Sequence, residues 1–174
     1  MAVTAGGRDG AAATRREQAR ARLAGLGFSL PAPLDSKGAY ASTRADGHGQ
    51  LWVSGHTGRG PEGLRLTGVV GQDVTLEQAQ QDARHAAVNL LAAVDGSPHL
   101  RHGLGSVEAV LYLRVYVRAT AGFGQQPAVA DGASTLIAEV LGADRGVHAR
   151  TAVGVASLPG GAPVELEAVL AHAP

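Results

Sequence analysis

Between Thr75 and Arg118 the hydrophobic repeat changes once, and that change restricts the fold more than any other feature of the chain. Leu76, Ala79, Ala83, Ala86, Ala87, Leu90, Leu91 and Val94 recur at helical spacing and form one apolar stripe. Thr75 and Gln78 supply a capping box before it, and Gly96 a stop after it. Over 107–118 the period becomes two: Val107, Ala109, Leu111, Leu113, Val115 and Val117 share one face. The other face, Glu108, Val110, Tyr112, Arg114, Tyr116 and Arg118, is only partly polar. A helix with one apolar stripe followed by a strand with an apolar face reads as a helix laid on a sheet.

The remaining elements follow from turn chemistry and shorter patterns. Thr14 is placed to cap a lead-in helix over 15–26, with Gly25 and Gly27 as stops, and Leu-Pro-Ala-Pro at 30–33 forces an extended connection. Strands are expected over 38–44, 51–56 and, more weakly, 64–70, with a turn at 45–50. A second helix fits 128–141, and two last strands over 149–158 and 163–171 flank Pro159-Gly160-Gly161-Ala162, a hairpin loop by composition. After the lead-in helix the order is β-β-β-α-β-α-β-β, so an α+β fold with its helices on one face of a mixed sheet is expected. Residues 1–14, rich in Ala and Gly, read as a flexible tail, and 15–174 as a single domain.

Composition narrows the function. The 174 residues hold no cysteine, which excludes disulfides, thiolate metal sites and a Cys nucleophile. Seven histidines without a ligand-like spacing argue against a metal. A net charge of +0 and 3% aromatics leave no footprint for nucleic acid. No apolar run has the length of a membrane span and no signal-like h-region begins the chain, so the expected location is the cytoplasm. With 45% hydrophobic residues, many of them alanine, added burial at a subunit interface is expected.

The stretch from His148 to Ala168, with Arg150 on a strand, a Leu158-Pro159 turn and then Val164-Glu165-Leu166-Glu167-Ala168, resembles the signature of the RidA/YjgF family. Gly38-Ala39-Tyr40 and Val53-Ser54-Gly55-His56 resemble two upstream elements of that family in order and spacing. The resemblance runs over roughly residues 28–171 and implies a chorismate-mutase-like α+β fold, a homotrimer and ligand clefts between subunits. It also implies cofactor-free hydrolysis of reactive 2-imino or enamino acids to 2-keto acids and ammonia. The chain departs from the pattern at Ala152, where imine deaminases of the family commonly carry Cys, at His56 in place of Gln and at Ala39 in place of Pro.

Arg150 is the first candidate for substrate binding, because a guanidinium is a planar fork suited to a carboxylate and the strand positions after it on its face, Ala152, Gly154 and Ala156, are small. The resemblance gives Glu165 the role of holding the attacking water; Glu167 shares its face. Tyr40 and Ser54 match catalytic cleft positions that hydrogen-bond ligand or water, while Gly55 and His56 are assigned to substrate binding. His148 is expected to orient the loop before Arg150. An alternative reading, favoured by Ala152 and His56, is a non-catalytic binder of small carboxylic acids; RNA cleavage has little physical support. Setting Leu158 opposite Pro163 in a final hairpin puts Arg150 and Glu165 on one face but about 20 Å apart, at about 3.3 Å per residue. Joint action on one small acid then requires two chains, and a cyclic trimer supplies them.

Overall fold

A computed structural model describes residues 5–33 and 38–173, with residues 1–4 of the expected tail outside the described part. Helix α1 spans Ala5–Gly25, strand β1 Thr43–Ala45, β2 Gln50–Thr57, β3 Arg59–Gly60 and β4 Gly63–Leu64. Helix α2 spans Leu76–Asp95, β5 Val107–Arg118, α3 Gln126–Leu141, the single turn α4 Ala143–Gly146, β6 Ala149–Val155 and β7 Val164–His172. Five strands form one mixed sheet in the order β1-β2-β7-β5-β6, and β3 and β4 form a small separate ribbon. The core lies between the sheet and α2 and α3, where Leu51, Val115, Leu166 and Leu170 meet Ala83, Leu90, Ala133 and Leu136. The expected α+β class, with two long helices over a mixed sheet, is therefore observed.

Helix α2 carries the anticipated capping box, with the Gln78 amide donating to Thr75 Oγ1 and the Thr75 amide donating to Gln78 Oε1. Strand β5 has the anticipated limits, but its faces are not strictly alternating. Register shifts between Val107 and Ala109 and between Val110 and Tyr112 turn Val110 into the core and leave Leu111 40% exposed. Helix α1 begins well before Thr14, whose hydroxyl donates to the Gly10 carbonyl at 3.0 Å inside the helix. Residues 5–14, expected to belong to a flexible tail, are thus helical, and Ala12 is buried. The strand expected over 38–44 is reduced to β1, and that over 64–70 to β4 and bridges of Val70 with Val74 and Ala119.

The final hairpin is not formed. Strand β6 pairs in parallel with β5, and β7 pairs antiparallel with both β5 and β2. Helix α3 carries the chain back from the end of β5 to the start of β6, which makes that pair parallel. Strand β7, whose Val164, Leu166, Ala168 and Leu170 are all buried, takes the central place, and β6 is left at the edge. Arg150 then lies level with Leu113 in the core-facing row, whereas Glu165, between buried Val164 and Leu166, points to the open face. The two residues are on opposite faces of the sheet, not on the one face that the hairpin register required.

Helix α2 also holds two buried carboxylates in opposite circumstances. Asp95 accepts from Arg16 at 2.7 and 3.0 Å, from Arg20 at 2.8 Å and from the Leu104 amide at 3.2 Å. Burial pushes its carboxyl up, but the hydrogen bonds from Arg16, Arg20 and Leu104 together outweigh this and hold it below the ordinary value. Asp82 is 3% exposed beside Gly58, and neither of its oxygens has a hydrogen-bond partner among the described residues. Burial raises it to about 7, against a smaller opposing pull from Arg65.

The two acids accordingly have opposite linkage to pH. The lowered Asp95 contributes stability above its unfolded value and loses it as pH falls through the folded one; Asp95→Ala is expected to cost about 2 kcal/mol near neutrality, by removing the tie to Arg16 and Arg20 and leaving the buried Leu104 amide unpaired. The raised Asp82 contributes stability that is complete below about pH 4 and lost as pH rises through about 7. Asp82→Asn should match wild type near pH 4 and exceed it by up to about 4 kcal/mol at pH 8. Denaturant melts at both pH values check both signs.

Candidate functional site

The candidate site grows from an irregularity in β2. The β2–β7 register shifts between Val53 and His56, so Ser54 and Gly55 form a bulge opposite Glu167 of β7. Glu165 pairs with Thr57 on one side and Tyr116 on the other, and its carboxylate leans over Gly55. A Cβ at Gly55 would stand 2.0 Å from Glu165 Oε1, so the glycine expected to admit a ligand instead makes room for this carboxylate. Burial, and then repulsion from Glu167, raise the Glu165 carboxyl above its ordinary value. Glu167 itself is paired with Arg114 at 2.7 Å, which distinguishes two carboxylates that patterning alone left equivalent.

Ser54 ties the preceding segment to this bulge: its Oγ donates to the Ala41 carbonyl at 2.8 Å and its amide to the Ser42 carbonyl at 3.0 Å. Tyr40 belongs to that same segment and is 56% exposed. Next to the bulge, a groove of about 580 Å³ runs over the open face between Trp52, Ser54, Leu111, Arg114 and Glu167. Tyr112, also lining it, donates from its hydroxyl to Thr151 Oγ1. Ser54, Gly55 and Glu165 are thus brought together, and Tyr40 is attached to them through Ala41 and Ser42.

His56 and Arg150 are placed elsewhere. His56 lies opposite Leu166 in the core-facing row, buried, with its Nδ1 2.7 Å from the Ser54 carbonyl. Burial lowers its pKa, so the ring is neutral at pH 7 and Nδ1–H donates to that carbonyl. Arg150, on the edge strand, lies against α3: its guanidinium donates to Asp131 Oδ1 at 2.9 Å, Ser134 Oγ at 2.9 Å and the Pro127 carbonyl at 3.2 Å. Within one chain, then, Tyr40, Ser54, Gly55 and Glu165 gather at the open face, while His56 on β2 and Arg150 on β6 lie on the other face with β7 and β5 between them. Sequence reading missed Ser134 and Asp131; their spacing of three on a helix was the available signal. Among the described residues no group of His, Asp and Glu is arranged to hold a metal ion, and no helix is long and apolar enough to cross a membrane.

A model of the endoribonuclease L-PSP family matches residues 31–172. The chain belongs to this family, also called RidA/YjgF. It is 38% identical over 150 residues to Protein TCP17 of Trypanosoma cruzi, a match that covers 86% of this chain and 91% of that protein. The solved structure of Atu1372 from Agrobacterium tumefaciens, of unknown function, superposes with a TM-score of 0.83 at 37% identity, covering 91% of this chain and 94% of the other. Escherichia coli TdcF with bound serine shares the fold at a TM-score of 0.58 and 18% identity, over 84% of this chain and 97% of TdcF. The match begins after α1 ends, so this L-PSP chain carries its long first helix outside the family region.

The geometry at Gly55 has a direct consequence. A methyl there meets only the far end of a flexible side chain, so Gly55→Ala should melt within a few degrees of wild type while displacing the Glu165 carboxylate. Carbon-13 NMR titration is expected to show Glu165 returning toward an ordinary carboxylate value in this variant. An unchanged titration would mean that Glu165 does not occupy the space above Gly55.

Proposed function

We propose that this chain is a cofactor-free deaminase that hydrolyses small reactive 2-imino or enamino acids to 2-keto acids and ammonia, acting as a homotrimer with clefts between subunits. The observation that carries the proposal is the placement of Arg150 and Glu165 on opposite faces of one sheet. No single chain can offer both to one small acid, whereas the edge of one subunit facing the open sheet of another can. Trp52 at 55%, Leu111 at 40% and Val153 at 38% exposure give that open face an apolar surface suited to burial against a neighbouring copy. Bound serine in TdcF supports a small amino-acid-like ligand over RNA, as does the net charge of +0 in this chain.

In this reading Arg150 exchanges Asp131 for the substrate carboxylate and fixes the acid in place. Glu165 takes a proton from water as it adds to the carbon of the protonated imine, giving a neutral tetrahedral carbinolamine. Return of that proton to nitrogen lets ammonia leave, and the remaining hydroxyl gives its proton to Glu165, which passes it to solvent, to form the ketone. A carboxyl raised by burial suits both directions of transfer. Tyr40 and Ser54 hold the segment that borders the cleft, Gly55 leaves Glu165 its space and His56 braces the bulge. A second reading, a binder without turnover, is favoured by Ala152 and by the engagement of Arg150 with Asp131 and Ser134. It predicts a higher melting temperature with small 2-keto acids but no catalysis.

An amino-acid oxidase that generates imino acids, coupled to keto-acid detection, should show acceleration by wild type and a loss of about 100-fold or more in Arg150→Ala and Glu165→Gln. The two inactive variants, unfolded, mixed and refolded together, should regain part of the activity, because mixed trimers contain intact clefts. Activity requires the ionised Glu165, so kcat/KM should fall as pH drops through a value above that of an ordinary carboxylate. Glu167→Gln removes the repulsion and should move this acid limb to lower pH. Absence of acceleration across several imino acids, with 2-keto acids still raising the melting temperature, selects the binder.

A further inference from the structure

The contacts that hold Arg150 also draw in Ser134 and His148, two side chains that the deamination scheme leaves unused. His148, at the approach to β6, has its Nδ1 2.6 Å from the Gly146 carbonyl and its Nε2 3.0 Å from Ser134 Oγ. A carbonyl can only accept, so Nδ1 carries the proton. In the neutral ring Nε2 is then the acceptor, and the Ser134 hydroxyl must donate to it. Burial, with a further contribution from Arg150, lowers the pKa of His148 against a smaller opposing effect of the Gly146 carbonyl, so the neutral form prevails at pH 7. The Arg150 guanidinium meanwhile donates to a lone pair of Ser134 Oγ at 2.9 Å.

Every hydrogen bond in this chain has a polarity set by its neighbours, and the sum is a serine hydroxyl poised between a base and a cation. The base is oriented by a third group, and the cation stabilises negative charge on oxygen. The three side chains open onto a groove of about 480 Å³, also lined by Thr135, Ala138 and Val147. Val147 is 68% exposed and makes one wall apolar. The groove lies along α3 and the edge strand, on the face of the sheet away from Glu165.

We propose that Ser134 is an activated nucleophile that accepts acyl groups from small activated esters, with His148 as its base and Arg150 as the cation beside the developing oxyanion. Ser134 Oγ bonds to the acyl carbon as its proton passes to His148 Nε2, and the carbonyl oxygen becomes an oxyanion within reach of Arg150. Collapse of the adduct breaks the bond to the leaving oxygen, which takes the proton from His148 and departs as the alcohol. Water then repeats the sequence on the acyl-serine, releasing the acid and restoring Ser134. This activity does not depend on the deaminase reading: Arg150 is common to both, but neither Glu165 nor the trimer takes part here.

The test is covalent labelling of the full-length protein with a fluorophosphonate, followed by intact mass and peptide mapping, alongside release of p-nitrophenol from p-nitrophenyl acetate. One adduct on Ser134 is expected, forming at a rate that rises with pH through the His148 titration and is then flat. Ser134→Ala should abolish it, His148→Gln should slow it by about 100-fold, and Glu165→Gln should label at the wild-type rate. Mapping of the wild type decides the matter even if a variant fails to fold. No adduct at Ser134, or an adduct whose rate is the same in folded His148→Gln, overturns the proposal.

Discussion

Strand β7 is bonded along both edges, to β2 on one side and β5 on the other, and the rest of the molecule is arranged around that double pairing. A strand so placed has to be apolar on its covered face, and Val164, Leu166, Ala168 and Leu170 meet the requirement. The other face is then free to carry Glu165 and Glu167 side by side, held in position by a backbone that cannot shift without breaking two ladders. Strand β6 can join the sheet only beyond β5, which exposes its outer edge and sets Arg150 against α3 instead of beside Glu165. The separation of the arginine from the carboxylate is therefore a consequence of which strand takes the centre.

Close helix packing supports this sheet with little side-chain volume. Helices α2 and α3 meet through alanines and through Gly132, where a Cβ would lie 2.3 Å from the Gln80 carbonyl. Asn89 fastens α2 to the end of β2 by donating to the Thr57 and Arg59 carbonyls at 2.8 and 2.7 Å. Helix α1 reaches the same body by an equally close approach, since a Cβ at Gly105 would stand 1.9 Å from the Ala12 carbonyl. Asp95 then secures α1 through Arg16 and Arg20. The small residues that made the composition look poor in core volume are what let the backbones come this near.

Much of the local structure was legible in the residues. The limits of β5, the capped α2 and the family signature around Arg150 and Glu165 depend on periodicity and on neighbours a few positions away, and those are properties of a segment. The bulge at Ser54 and Gly55 was not legible, because a bulge is a mismatch between two strands and has no pattern in one of them. Extending a strand pattern through Leu111 failed for the same reason. The lead-in helix was cut short at Thr14 because an Ala and Gly stretch shows no apolar periodicity, and only docking against the turn at Gly103–Ser106 supplies a reason for it to be helical.

By itself the sequence determined the α+β class, the family and the capped helix, since each follows from residue type and short-range spacing. Only the tertiary structure decided that β6 and β7 are not neighbours, that Arg150 and Glu165 face opposite ways, and that His148 reaches Ser134. Strand order is settled by the burial each strand gains from partners distant in the chain. A hydrogen bond between α3 and the approach to β6 likewise exists only once the crossover has laid the helix against the sheet. Composition and period are insensitive to both, because they describe the chain along its length and these contacts cross it.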